Sequence, residues 1–188
     1  MRILILGGTG FIGPHMVRYA QYRGHEVTLF NRGRSNPHLF PDVEKLQGQR
    51  SRIRTQSGPQ DLKALQGRQW DAVLDTSAYF TSEVEDVCEV LGDNVKQYVF
   101  ISSLSVYASL EKSADPVDED SALCECEDKY RTDMGQEFAY YGALKRYCED
   151  AAAAAYPERI AAAASFHGVR LVMDSDDSPH LGAKRVAG

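Results

Sequence analysis

The chain opens with Arg2-Ile3-Leu4-Ile5-Leu6, an aliphatic run that stops abruptly at glycines and predicts a short buried strand. Residues 11–23 then follow helical spacing. Ile12, Met16, Val17 and Ala20 share one face, and Gly24 supplies the usual stop. Residues 26–30 predict a second strand, which completes a β-α-β unit of about thirty residues. The alternation continues with a weak third strand at 43–46, a short helix at 59–66 ending at Gly67, and a strand at 71–75. A helix at 81–91 ends at Gly92, a strand follows at 97–102, and a helix runs over about 138–155 after a long loop. Alternating strands and helices, with the strands buried on both faces, predict an α/β fold with a doubly wound parallel sheet. Residues 51–58, with Arg50, Arg52 and Arg54, read as an irregular loop. Residues 111–133 read as a solvated acidic loop, although a loop of that length after a strand's carboxyl end can also serve as a substrate lid.

Length and composition narrow the picture. With 188 residues the chain can bury one real core and barely two. A formal charge of −6 argues against a general nucleic-acid binder, which carries a basic excess. No apolar run approaches the length of a membrane span, and the run at the start is too short for a signal peptide. The cysteines Cys88, Cys124, Cys126 and Cys148 form no C-x-x-C pair, so free thiols in a reducing cytoplasm are expected and no metal site is assigned.

Three constellations carry chemistry. Gly7-Gly8-Thr9-Gly10-Phe11-Ile12-Gly13 sits between a predicted strand and a predicted helix, where glycines permit a tight turn and close backbone approach to a pyrophosphate. The helix start adds N–H groups and positive dipole character for the same anion. The second strand ends in Asn31-Arg32-Gly33-Arg34. A carboxylate there would accept from an NAD ribose hydroxyl. Arg32 instead suits a 2′-phosphate, so NADP is slightly favoured, while Asn31 can still bond a ribose hydroxyl. Tyr141 and Lys145, four apart, fall on one helix face, where an ammonium favours phenolate and makes the phenol a usable base near neutrality. Ser103, at the carboxyl end of the fifth strand, stands where open α/β sheets hold ligands and can orient a substrate oxygen. The plainer readings are a ligand-free glycine turn, solvated arginines, a surface helix, and serines that merely cap a strand.

Taken in order, Gly-Gly-Thr-Gly-Phe-Ile-Gly, Ser-Ser-x-Ser-Val-Tyr and Tyr-Gly-x-Leu-Lys resemble the extended short-chain dehydrogenase/reductases of the NAD-dependent epimerase/dehydratase family, over about residues 1–156. The resemblance implies a Rossmann-type NAD(P)-binding domain. It also implies catalytic roles for Ser103, Tyr141 and Lys145, and cofactor contacts from Thr76, Ser77 and Ala78 together with the glycine turn, Asn31, Arg32, Tyr141 and Lys145. The implied substrate is a nucleotide sugar or another carbonyl or hydroxyl compound. No nucleic acid or membrane partner is expected, and homodimerisation is left open. Family members continue into a carboxyl-terminal substrate domain after an Arg-Pro-Gly-like turn. Here the family pattern is lost after about Arg159, although 169–173 can form a strand. The expectation is therefore a dinucleotide-binding domain over 1–164, an irregular polar tail over 165–188, and a truncated or frame-shifted member whose activity is open. The competing reading is a non-catalytic dinucleotide-binding sensor or interaction module.

Overall fold

The computed structural model describes residues 1–53, 60–108, 118 and 120–164. Its strands are β1 (Arg2–Leu6), β2 (Glu26–Asn31), β3 (Glu44–Gln47), β4 (Ala72–Asp75), β5 (Tyr98–Ile101) and β6 (Ile160–Ala164). Its α-helices are α1 (Gly13–Tyr22), α2 (Thr81–Leu91) and α3 (Tyr141–Ala155). The strands form one sheet in the order β3-β2-β1-β4-β5-β6, every neighbouring pair parallel. Strand alternation assigns the two faces. Ile3, Ile5, Val27 and Leu29 pack under Val17 and Ala20 of α1. Leu4, Leu6, Val73, Tyr98 and Phe100 pack under Val84, Val87 and Leu91 of α2 and Cys148 and Ala152 of α3. Each such Leu or Ile contributes about 1.5–3 kcal/mol relative to exposure.

The predicted α/β order is observed, with shifted boundaries that have local causes. Phe11 has φ 51°, outside the helical region, so α1 starts at Gly13 rather than at 11. Glu137 (φ 51°) and Phe138 (φ 61°) are left-handed, so α3 starts at Tyr141 and is preceded by a separate 3-10 turn, Gln136–Phe138. The helix predicted at 59–66 is a 3-10 turn, Lys63–Leu65, among the described residues. Strand β6 was not predicted: after Ile160 it is all alanine, which carries little strand preference, yet its backbone pairs with β5 from Tyr98 to Ile101. The predicted tail at 165–188, the strand at 169–173, and parts of both predicted loops (54–58, 111–117 and 119) lie outside the described residues.

The described part of the acidic loop is docked rather than merely solvated. Ala108 N donates to Ala122 O (2.9 Å) and Cys124 N to Val106 O (2.7 Å). Thr81 Oγ1 donates to Lys129 O (2.7 Å), and Tyr130 OH to Glu85 Oε1 (3.0 Å). These contacts hold the segment against the start of α2 and the turn after β5.

Candidate functional site

Parallel register brings the chemistry to one edge. Leu6 lies beside Phe30 and Asp75, and Asp75 beside Phe100, so the segments after β1, β2, β4 and β5 all emerge together. The glycine turn crosses from β1 to α1 with Gly7 at φ 110° and Gly8 at φ 88°. These values are open to glycine and strained for other residues. A Cβ at Gly13 would meet the Gly8 backbone at 2.7 Å, which explains why the turn needs glycine at both ends. At Gly10, by contrast, no described atom lies within 4 Å of an added Cβ, and the backbone φ is ordinary. Gly10 is therefore not required by the fold, and the space in front of it is open. The first turn of α1 carries no acidic residue to oppose an anion.

A cleft of about 310 Å³ lies over this turn. Gly7, Gly8, Thr9, Gly10 and Phe11 line it, as do Asn31, Arg32, Thr76 and Ser77. Five of the expected cofactor residues do not: Ile12, Gly13, Ala78, Tyr141 and Lys145. Ile12 caps α1 and Gly13 opens it, and Ala78 is fully buried, with its carbonyl turned to Lys145. Asn31 ties the β2 end to the glycine turn: its Nδ2 donates to Gly7 O (3.2 Å) and its Oδ1 accepts from Gly33 N (2.8 Å). Asn36 Nδ2 donates to Thr9 O (2.8 Å), a second tie that the sequence pattern did not mark.

Ser103, Tyr141 and Lys145 gather beside the cleft, with Tyr79 between. Tyr79 lines the cleft, and its ring centre lies 6.2 Å from that of Tyr141 and 5.7 Å from Lys145 Nζ. The Ser103 hydroxyl lies near enough to the Tyr141 phenol to ease its ionisation. Ser103 Oγ also donates to Ser105 Oγ (3.1 Å) and accepts from Ser105 N (3.2 Å), which fixes its rotamer. Gly142 makes the approach possible: an added Cβ would overlap the Ser105 carbonyl oxygen, so only glycine lets α3 lie this close to the turn after β5.

Lys145 is 4% exposed and donates to Ala78 O (3.0 Å) and Ile101 O (2.7 Å), over the Phe100 ring at 4.0 Å. Burial lowers its pKa to about 8. Burial raises the Tyr141 phenol above its usual value, opposed by the nearby Ser103 hydroxyl. The expectation that Lys145 draws Tyr141 toward phenolate is not met by this geometry, because the ammonium is directed at the two carbonyls.

The sequence reading missed Arg50, which it placed in a loop. Arg50 is buried and meets Asp75 through a two-point fork at 2.6 and 2.7 Å, while Tyr98 OH donates to Asp75 Oδ2 at 2.7 Å. Burial works to raise the Asp75 pKa, but the Arg50 charge and these hydrogen bonds outweigh it and hold the carboxyl below its usual value. Arg50 lies 25 residues from Asp75 in sequence, so no local pattern announces the pair. Among the described residues, no group of three or more His, Cys, Asp or Glu side chains could hold a metal, and no helix is long and apolar enough to cross a membrane.

An open parallel sheet in this order, with a glycine turn between β1 and α1 and a ligand-sized cleft over it, defines a Rossmann-type dinucleotide-binding fold. The model of the NAD dependent epimerase/dehydratase family matches residues 3–156, and the chain belongs to that family. A chloroplast stem-loop binding protein of 41 kDa (form b) from Arabidopsis thaliana is 34% identical over 119 residues, 56% of this chain and 30% of that protein. A solved UDP-galactose 4-epimerase superposes with TM-score 0.62 at 23% identity, over 85% of this chain and 52% of its own. MoeE5, solved in complex with UDP-glucose and NAD, gives 0.58 at 17% identity, over 88% and 53%. The chain thus spans about half the length of these structures and less than a third of the Arabidopsis protein.

Proposed function

We propose that this chain is the cofactor-binding half of an NAD(P)-dependent oxidoreductase that modifies nucleotide sugars, spans 1–164, and uses Ser103, Tyr141 and Lys145 as its reacting group. The observation that carries the reading is the grouping of Ser103, Tyr141 and Lys145: Ser103 acts on the Tyr141 phenol, and Tyr141 and Lys145 both stand beside Tyr79, which lines the glycine-turn cleft. A nicotinamide dinucleotide supplies hydride acceptance and return when bound. Tyr141 takes the proton of the substrate hydroxyl as the carbon loses hydride, and returns it on reduction. Ser103 Oγ holds the substrate oxygen in line with the phenol. Lys145 keeps a positive charge at neutral pH and, with one N–H beyond its two carbonyls, can donate to a cofactor ribose. The glycine turn and α1 start take the pyrophosphate.

Within this reading the cofactor is NADP(H) in preference to NAD(H). Arg32 and Arg34 line the cleft at the end of β2, where the sequence offers no carboxylate. The free thiols suit a reducing cytoplasm. The net charge of −6 gives no reason to carry over the stem-loop binding in the Arabidopsis protein's name. A purely cofactor-sensing module is the weaker reading, because it leaves the grouping of Ser103, Tyr141 and Lys145 without a task.

The test is turnover of UDP-sugars by the purified chain and by Tyr141→Phe. We expect Tyr141→Phe to remove nearly all activity while cofactor affinity stays close to that of the wild type. Activity that survives Tyr141→Phe contradicts the assignment of Tyr141 as the acid–base group.

A further inference from the structure

We propose that Arg50 is a positioning residue: paired with Asp75, it forms a buried brace that shapes the turn 76–79 for two tasks at once, lining the dinucleotide cleft and anchoring Lys145. The inference rests on the cofactor reading above and extends it to a residue that touches neither substrate nor proton.

The brace joins four parts of the fold. The Arg50 guanidinium, in the segment after β3, grips the Asp75 carboxylate at the end of β4 through both nitrogens. The same two nitrogens donate to Ser77 Oγ (3.3 Å) and to the Glu83 carbonyl in the first turn of α2 (2.9 Å). Asp75 also accepts from Ser77 N (3.1 Å) and from the Tyr98 hydroxyl at the start of β5. The pair is almost wholly enclosed, at 8% and 0% side-chain exposure. Such a pair adds little net stability, since desolvation offsets most of its attraction and a well-packed apolar pair serves the core as well. Its value lies in geometry, because a two-point fork fixes direction where an apolar contact does not.

What it directs is the turn. Thr76 Oγ1 and Ser77 Oγ both donate to Leu6 O, at 2.9 and 3.2 Å, and Tyr79 N donates to Glu83 Oε2 at 2.9 Å. Thr76, Ser77, Tyr79 and Arg50 itself line the cleft, while the Ala78 carbonyl between them faces the other way and accepts from Lys145. Moving the turn therefore disturbs the cofactor wall and the lysine's anchor together. Lys145 has around it the charges of Asp75 and Arg50 from the brace and Glu149 from α3, the Cys148 thiol, the rings of Phe100 and Tyr79, and the carbonyls of Ala78 and Ile101.

The test replaces the whole buried polar set with apolar side chains of similar size, Arg50→Met with Asp75→Leu and Tyr98→Phe, and measures melting temperature and NADH affinity from pH 6 to 10, a range of about two pH intervals either side of the lysine's titration. We expect a melting temperature near or above the wild type, NADH affinity weaker by about tenfold, and an alkaline loss of binding that sets in at lower pH, because Lys145 has lost the Ala78 carbonyl. A role confined to stability would lower the melting temperature and leave affinity and pH midpoint alone. Should the triple variant fail to fold, Arg50→Lys keeps the charge but cannot span Asp75, Ser77 and the Glu83 carbonyl, and the same loss of affinity is expected. Wild-type NADH binding and pH midpoint in a folded triple variant, or in Arg50→Lys, overturn the inference alone. A wild-type chain that binds neither NADH nor NADPH overturns the cofactor reading and the inference with it.

Discussion

Gly142→Ala sets two physical effects against each other. Inside α3 the substitution favours the helix by about 0.5–1 kcal/mol, because glycine loses more backbone freedom on folding than alanine. The new methyl, however, would overlap the Ser105 carbonyl oxygen, with Ser105 C at 3.0 Å and Cys124 Sγ at 3.2 Å. That carbonyl already accepts from Cys124 Sγ at 3.4 Å and belongs to the backbone of the turn that carries Ser103, so it cannot simply rotate aside. The helix must retreat by about 1 Å to restore ordinary carbon–oxygen contact. Overpacking of this kind costs about 1–3 kcal/mol, and collision with backbone belongs in the upper half of that range. The net expectation is a loss of about 2 kcal/mol, which for a domain of this size lowers the melting temperature by roughly 4–8 °C. Retreat of α3 also separates Tyr141 from Ser103, and misplacement on that scale costs about a hundredfold in turnover. Thermal denaturation followed by circular dichroism measures the first effect, and the UDP-sugar assay measures the second. A Gly142→Ala chain as stable as the wild type, or more stable, refutes the close approach of α3 to the turn after β5.

Arg32→Ala should weaken NADPH by about 1–3 kcal/mol, the range for a charge-assisted contact, and leave NADH nearly unchanged; equal losses for both cofactors contradict the 2′-phosphate role. Lys145 gives a pH signature. Its folded pKa of about 8 lies below the ordinary 10.5, so between those values the unfolded chain binds more protons and folding stability rises with pH. Below about pH 8 both states are protonated and the full burial penalty persists. The difference in urea stability between the wild type and Lys145→Met should therefore climb in favour of the wild type across that window, and a flat difference contradicts the buried ammonium.

The strands that carry the site were legible because each is a short, mainly apolar run bounded by glycine or polar residues: Ile3 to Leu6, Val27 to Phe30 around Thr28, Tyr98 to Ile101. The glycine turn was legible from its place between a strand and a helix, and the common helix face of Tyr141 and Lys145 from their spacing. Strand β6 was hidden because an alanine run has neither a helical nor a strand periodicity to read. Helix starts were misplaced wherever a bulky residue takes positive φ, as at Phe11 and Phe138, since nothing in those side chains announces a strained backbone. The Arg50–Asp75 pair and the docking of the acidic loop through Lys129 and Tyr130 depend on partners 25 to 48 residues away, beyond any local pattern. The direction of the Lys145 ammonium toward Ala78 and Ile101 follows from how β4 and β5 lie side by side, and helix spacing alone does not contain it.

The cleft over the glycine turn is the centre of the functional reading, and isothermal titration of the purified chain with NADH and NADPH, run in parallel on Gly10→Val, tests it most directly. The wild type should bind both, NADPH more tightly. Gly10→Val should fold, because no described atom lies within 4 Å of an added Cβ and the backbone there is unstrained, yet bind neither, because its side chain fills the pyrophosphate's place. Absence of binding to the wild type, or undiminished binding to a folded Gly10→Val chain, contradicts the assignment of the cofactor site.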